Sequence, residues 1–252
     1  MENLITVNGL CKTYTGKKQE NTVLSDVSFS MQAGEFVTVM GPSGSGKSTL
    51  LYTVSGMDTV TAGSVLFEGK ALSAMTKNEL THLRLTKMGF IFQQMYMMKK
   101  LCIFDNIVLP AYQAETPRTQ ANSRAEELMA RVGISEIAKH EITEVSGGEL
   151  QRACLCRALI NEPKILFADE PTGALNSKAA ADVMQEMVNV WRSGTGILMV
   201  THSVRVAAMS ERVLYLVDGS IQGEMPLGKP AEDADMSERE KRLSKWLMEQ
   251  GW

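Results

Sequence analysis

The densest chemistry in the chain is the run Gly41-Pro42-Ser43-Gly44-Ser45-Gly46-Lys47-Ser48, continued by Thr49, which fits the spacing G-x-x-x-x-G-K-[ST]. Glycines at this spacing let successive backbone N–H groups turn inward as an anion nest. A helix starting near Lys47 would aim its positive N-terminus at the same anion. The Lys47 ammonium can reach β and γ phosphates. The Ser48 hydroxyl suits Mg²⁺, a hard ion that prefers oxygen ligands. A second element, Lys164 to Glu170, carries four apolar residues (Ile165 to Ala168) that end in Asp169-Glu170. A carboxylate at the C-terminal edge of a buried strand lies where α/β sheets take ligands. Asp169 there can hold Mg²⁺ through water, and Glu170 can polarise an attacking water. Either element alone is a weak signal; together they describe a nucleoside triphosphatase.

A third run, Val145-Ser146-Gly147-Gly148-Glu149-Leu150-Gln151-Arg152, places two glycines after a serine at the opening of a helix. That is a second anion-binding N-terminus. One nucleotide loop and a second phosphate-reading element in the same chain invite a partner subunit.

These residues need an alternation of strands and helices to hold them. The pattern predicts strands at Leu4–Val7, Val23–Met31, Phe36–Met40, Ser64–Phe67 and Met88–Phe92. From Leu101 to about Leu159 the apolar spacing turns helical, with Ala125, Leu128, Met129 and Val132 on one face. A buried strand returns at Ile165, and helix Ala179–Trp191, strand Gly196–Val200, a short helix, and strands Val213–Val217 and Ile221–Glu224 complete the alternation. Pro226 to Asp235 reads as a linker, and Ser237 to Met248 as a charged amphipathic helix that packs back on the body through Leu243, Trp246 and Leu247. The expected organisation is therefore a nucleotide-binding domain over 1–225, with a helical lobe at about 95–158 inserted, and a linker plus amphipathic helix over 226–252.

Composition narrows the class. The chain has 252 residues, 44% hydrophobic and 22% charged, with 26 basic and 29 acidic side chains, net −3. That balance argues against bulk-charge binding of nucleic acid and excludes disordered or low-complexity classes. Cys11, Cys102, Cys154 and Cys156 are too sparse for a disulfide framework and read as small buried thiols. The start of the chain lacks the basic and apolar regions of a signal peptide, and no run approaches a membrane span. The expectation is a chain made in the cytosol that reaches a membrane only through a partner.

The three motifs, in this order and spacing over about Leu4 to Glu224, resemble the ATP-binding subunit of ABC transporters. The resemblance implies a P-loop α/β fold with a RecA-like core, an antiparallel β subdomain and an inserted helical subdomain. It implies Mg²⁺ and ATP, an ATP-bound homodimer, a membrane permease as partner, and a place at the cytoplasmic face of the membrane. Residue by residue, Tyr14 is similar to the aromatic that stacks on adenine. Gln93 is similar to the loop glutamine that touches Mg²⁺ and the attacking water. Ser146, Gly147, Gly148 and Glu149 occupy the signature that reads the γ-phosphate across the dimer. Glu170 matches the catalytic base, and His202 the switch histidine. His82 and His140 have no such context and read as surface or satisfied histidines.

Two positions depart from the family pattern: Glu149 stands where Gln is usual, and Asn176 where Asp is usual. Within the family, Ala168 to Leu175 and Gly89 to Gln94 resemble the branch of macrolide and antimicrobial-peptide exporters, lipoprotein-release ATPases and the cell-division ATPase. The Ala174-Leu175-Asn176 variant and the tail with Lys245-Trp246-Leu247 and Gly251-Trp252 are most similar to the bacitracin-resistance type. The alternative is a regulatory ATPase of the cell-division type controlling cell-wall hydrolysis, or a lipoprotein-release ATPase. The chain has neither the long heptad insertion of DNA-repair members nor the second nucleotide domain of translation members. Met95, Tyr96, Met97 and Met98 form a dense apolar run that fits neither helix nor strand burial, as expected of a surface that repacks against a partner. Leu101 and Phe104 beside it read as core.

Overall fold

The computed structural model describes residues 3–16, 20–230 and 235–252. The chain opens with strands β1 (Asn3–Thr15), β2 (Glu20–Gln32) and β3 (Phe36–Met40), then helix α1 (Lys47–Val54) and strands β4 (Ala62–Phe67) and β5 (Lys70–Ala71). Helix α2 (Lys77–Lys87) and strand β6 (Met88–Ile91) lead into helices α3 (Ile103–Gln113), α4 (Arg118–Arg131) and α5 (Gly147–Leu159). Strand β7 (Ile165–Asp169), helix α6 (Ser177–Arg192), strand β8 (Gly196–Val200) and helix α7 (Val204–Ala207) follow. Strands β9 (Arg212–Val217) and β10 (Ser220–Pro226) and helix α8 (Met236–Glu249) complete it. Residues Met1–Leu80 with Gly196–Trp252 make one compact unit, and Thr81–Thr195 a second.

In the first unit, β2, β1, β4 and β5 form an antiparallel sheet. Burial alternates along β2, with Leu24, Val27, Phe29 and Met31 inward, as a sheet solvated on one face requires. β1 runs eight residues past the predicted Val7, because bulges after Val7 and Leu10 restore its pairing with β2. The other sheet of this unit is built on β3, whose five residues are all buried. β8 and β9 flank β3 in parallel, and β10 adds antiparallel to β9. Arg212 joins this sheet to the turn before β3, pairing with Glu35 at 2.6 Å and Glu224 at 3.0 Å.

Helix α8 packs against the same unit, as its amphipathic pattern predicts. Leu243 and Leu247 are fully buried in a cluster with Met40, Ala207, Ala208, Tyr215 and Leu227, and the Trp246 ring meets Tyr215 edge-on at 6.2 Å. Asp235 caps the helix, accepting from the amides of Ser237 and Glu238.

In the second unit, β6 and β7 pair in parallel, with Met88 opposite Ile165 and Ile91 opposite Ala168. Helices α3, α4, α5 and α6 pack with them. Helix α5 lies against β6 within this unit. Leu101 and Phe104 are only half-buried here, against the expectation of core; Ile103, Ile107 and Val108 fill that role. Cys154 and Cys156 are buried as expected, but Cys11 and Cys102 are half-buried: Cys11 sits at a register shift inside β1 and Cys102 caps α3, and each sulfur takes part in backbone hydrogen bonds.

Candidate nucleotide site

In the first unit the glycine-rich loop joins the C-terminal end of β3 to the N-terminus of α1. Gly46 is the helix cap, in a left-handed conformation (φ 99°) and with no side-chain cap, so first-turn amides project from the helix end. Pro42, Ser43 and Gly44 form an exposed rim, whereas Ser45 and Lys47 are buried beneath it, and Ser48 and Thr49 are half-buried. Lys47 Nζ donates to the carbonyls of Gly41 and Pro42, both at 2.8 Å. The ammonium is thus held inside the curve of its own loop.

Two observations test whether phosphate fits this loop. A Cβ on Gly41 would fall 1.9 Å from the Leu216 carbonyl oxygen and 2.8 Å from Ser45 Oγ, so only glycine allows the backbone this close an approach. Ser45 Oγ itself is buried without a hydrogen-bond partner among the described residues. A cradle lined by an orphaned hydroxyl, a buried cation and a helix N-terminus suits a polyphosphate. Among the described residues no three His, Cys, Asp or Glu side chains converge. Mg²⁺ would therefore be shared with the phosphates, as this ion usually is, and not caged by protein alone.

Strand register places the remaining first-unit residues. Val39 pairs with Val200, and the Thr201 amide donates to the Val39 carbonyl, so Gly41 and His202 leave the same ends of neighbouring parallel strands. His202 is exposed there, just before Ser203, which caps α7. Tyr14, 44% exposed, donates its hydroxyl to Asp58 Oδ2 at 2.6 Å, and Thr49 also hydrogen-bonds that hydroxyl. The Lys12 ammonium lies 4.7 Å from the ring centroid and pairs with Asp58 Oδ1 at 2.6 Å. One face of the ring is therefore backed by a cation and its tip is fixed, as a stacking platform for a base requires. Burial, then the Asp58 bond, pushes the Tyr14 hydroxyl upward. Burial also works upward on Asp58, but hydrogen bonds from Lys12 and Tyr14 outweigh it and hold its carboxyl below the usual range. Neither Lys12 nor Asp58 was legible as a site residue, because they meet across 46 positions of sequence with no motif.

The second unit repeats the register logic. Ile91 pairs with Ala168, so Gln93 and Glu170 each stand two residues past a paired position on adjacent parallel strands. Asp169 is buried at the end of β7. Glu170 turns the chain in a left-handed conformation (φ 46°), uncommon for a non-glycine residue and typical of functional turns. A Cβ on Gly173 would meet Gln93 Nε2 and Glu170 Cβ, both at 3.5 Å, so the glutamine amide and the glutamate flank the same small space.

Ser146 caps α5 in a full capping box with Glu149. The Glu149 carboxylate turns back onto its own cap: its Oε2 accepts from the Ser146 hydroxyl at 2.6 Å and amide at 2.8 Å. Those hydrogen bonds, with Arg152 nearby, hold the Glu149 carboxyl below its ordinary value. Asn176 caps α6, its Oδ1 accepting from Ala179 N at 3.0 Å. The two helix N-termini lie so close that a Cβ on Gly148 would fall 2.9 Å from Ala179 Cβ. Beside them opens a cavity of about 360 Å³ lined by Ser146, Gly147, Gly148, Arg152, Asn176 and Lys178 among others.

The run after Gln93 is an irregular loop that turns through a left-handed Tyr96 (φ 45°), with Tyr96 63% and Met98 53% exposed, while Met95 and Met97 are half-buried. Its main chain is clasped twice. Arg157, from α5, donates to the carbonyls of Met95 and Tyr96 at 2.8 Å, and buried Asn106 bonds Met98 N and O and the carbonyls of Leu101 and Cys102. Neither clasp carried a sequence signal. His82 and His140 are exposed, as expected.

Comparison with known proteins agrees with this geometry. A family model described as ABC transporter matches residues 24–173. The lipoprotein-releasing system ATP-binding protein LolD of Aquifex aeolicus (strain VF5) is 41% identical over 203 residues, 81% of this chain and 91% of that protein. The macrolide export ATP-binding/permease protein MacB of Aggregatibacter actinomycetemcomitans is 38% identical over 219 residues, which is 87% of this chain but only 34% of that longer protein. Among solved structures, the dimeric ATP-binding cassette MJ0796 bound to ADP and Pi superimposes with a TM-score of 0.83 at 34% identity, covering 88% of this chain and 98% of that one.

Proposed function

Because this chain belongs to the ABC transporter family, as an ATP-binding domain of the LolD/MacB branch, we propose that it hydrolyses Mg·ATP as a head-to-tail dimer that drives a separate membrane permease. Among the described residues no helix is long and apolar enough to cross a membrane. The observation that carries the reading is the cradle at Gly41, with Lys47 buried inside it at the N-terminus of α1.

Lys47 and the α1 amides neutralise and orient the phosphates, and Tyr14 stacks on the base. Mg²⁺, when bound, supplies neutralisation of the charge developing between β and γ phosphates. Ser48, Asp169 and Gln93 are the residues that would hold it. Glu170 accepts the proton of the attacking water, and His202 contacts the γ-phosphate. Ser146, Gly147 and Gly148 read the γ-phosphate of the partner copy. Tyr96 and Met98, exposed on a clasped backbone, receive a short helix of the permease at the cytoplasmic face of the membrane. For the finer assignment, the Ala174-Leu175-Asn176 run and the tail over Lys245–Leu247 and Gly251-Trp252 support the bacitracin-resistance type, in which the permease handles antimicrobial peptides or lipid-linked substrates. The 41% identity to a lipoprotein-release protein keeps that activity as a second reading.

Purified chain should release phosphate from Mg·ATP, and Lys47→Ala should lose that activity by roughly 10²-fold or more. Co-expressed with the permease from the neighbouring reading frame, it should co-purify in detergent, and Met97→Ser with Met98→Ser should lower that recovery. No phosphate release by the folded wild-type chain would overturn the reading.

A further inference from the structure

Arg239, in the first turn of α8, is only 9% exposed. Its guanidinium donates to four main-chain carbonyls: Ala208 at 2.9 Å, Ser210 at 2.7 Å, Leu227 at 2.9 Å and Gly228 at 2.9 Å. Among the described residues no carboxylate pairs with it, and the charge felt most is Arg242, of like sign. A buried cation held by four neutral carbonyls costs desolvation that the hydrogen bonds must offset, so the geometry of the fork is tightly defined.

The four acceptors come from two segments. Ala208 and Ser210 end α7 and lead into β9, while Leu227 and Gly228 follow β10. α7 is four residues long, too short to hold its own place. At its start Ser203 caps it, directly after His202; at its end the carbonyls of Ala208 and Ser210 point into the Arg239 fork. Leu243 and Leu247 of α8 reinforce the contact on Ala207 and Ala208, and the same cluster includes Met40, the residue before Gly41. The C-terminal helix thus bears on the short helix that follows His202 and on the strand end that enters the phosphate loop.

We propose that Arg239 is a positioning residue for His202: it fixes the far end of α7, α7 fixes His202, and α8 thereby governs turnover from outside the site. The activity arm of this proposal rests on the reading of His202 as the γ-phosphate contact; the structural arm does not. The arrangement also gives the C-terminal helix a role beyond covering the sheet, since anything that loosens α8 would relax His202.

The chain has three histidines, and His202 is the one in this unit, since His82 and His140 fall in Thr81–Thr195. Imidazole signals in a proton–carbon spectrum of the full chain therefore separate a local effect from a global one. Arg239→Ala removes the latch, and Arg239→Lys keeps the charge with three donors in place of the planar fork. In folded protein we expect the His202 signal to shift, strongly for Ala and partly for Lys, with His82 and His140 unmoved. ATP affinity should hold while the single-turnover rate constant falls roughly tenfold to a hundredfold, the scale of a misplaced catalytic group. A His202 signal that stays put, or three signals that move together, would overturn the proposal, as would the failure of both variants to fold. A shifted His202 signal with an unchanged rate constant would leave the latch standing and remove His202 from the γ-phosphate role.

Discussion

Ser146 and Glu149 exchange hydrogen bonds at the N-terminus of α5: the serine hydroxyl donates to Glu149 Oε2 at 2.6 Å, and the Glu149 amide donates back to Ser146 Oγ at 3.3 Å. The hydroxyl proton that a partner's phosphate would receive is thus directed at a carboxylate of its own chain. Glu149→Gln keeps an acceptor for the cap but removes the charge that holds the proton. We expect stability to stay within about 0.5 kcal/mol and ATP turnover to rise about threefold, the equivalent of roughly 0.7 kcal/mol in barrier. Unchanged turnover in steady-state phosphate release would show that the hydroxyl proton is not limiting.

The same pair has a pH signature. The folded Glu149 carboxyl lies below its ordinary value because of the Ser146 bonds, so its contribution to stability is complete above the unfolded value of about 4.3 and is lost as pH falls through the lower folded value. The melting-temperature difference between wild type and Glu149→Gln should be flat from neutral pH to about pH 5 and should change only below about pH 4. A change centred near pH 7 would point to another group.

Asn176 stands where the family usually has Asp, and its side chain caps α6. Asn176→Ala should cost about 1 kcal/mol through loss of the cap. Asn176→Asp retains the acceptor and adds a favourable charge at a helix N-terminus, so it should be neutral or stabilising by a few tenths of a kcal/mol. Chemical denaturation of the two variants separates them; equal destabilisation would mean the cap is not the stabilising contact.

How much of this was legible follows from range in sequence. The loop from Gly41 to Ser48, Ser146 to Gly148, and the Asp169-Glu170 pair are short runs whose chemistry depends on adjacent residues, so composition and spacing exposed them. Strands β3, β7 and β8 were legible too, because five buried residues in a row allow few alternatives. Lys12, Asp58, Arg157, Asn106 and Arg239 were not, because each acts on residues or backbone carbonyls brought together only by the fold. Leu101 and Phe104 read as core from apolar character alone, which does not show that Leu101 precedes α3 or which side of α3 carries Phe104. The second half of β1 was missed because its bulges break the two-residue alternation that marks a strand.

Asp58 is the clearest case of a long-range contact with consequences for binding. Asp58→Ala would leave the buried Lys12 ammonium with Thr59 and the Tyr14 ring face, and the Tyr14 hydroxyl with Thr49 as its remaining partner. We expect a loss of about 2 kcal/mol in stability from the charged hydrogen bonds and a several-fold weaker ATP affinity by fluorescent-nucleotide titration. Tyr14→Phe, which keeps the ring, should weaken binding less than Tyr14→Ala. Equal effects of the two Tyr14 variants would mean the hydroxyl matters and the ring face does not.

Burial pushes the Cys154 thiol up to about 11 and the Cys156 thiol up to about 12. In native protein at pH 8, a thiol-specific reagent should modify Cys11 and Cys102 first and reach Cys154 and Cys156 only on unfolding. Mass spectrometry of partially labelled protein reads this directly, and early labelling of Cys154 would contradict the packing of α5.

In the proposed function two copies close around ATP, and Glu170 is the base whose action reopens them. Glu170→Gln keeps the size of the side chain and removes its ability to take a proton. Size-exclusion chromatography with light scattering on Glu170→Gln, with and without Mg·ATP, tests this most directly. We expect a monomer without nucleotide, a dimer with it that retains ATP at two per dimer, and no phosphate release. A monomer with ATP bound, or turnover at the wild-type rate, would contradict it.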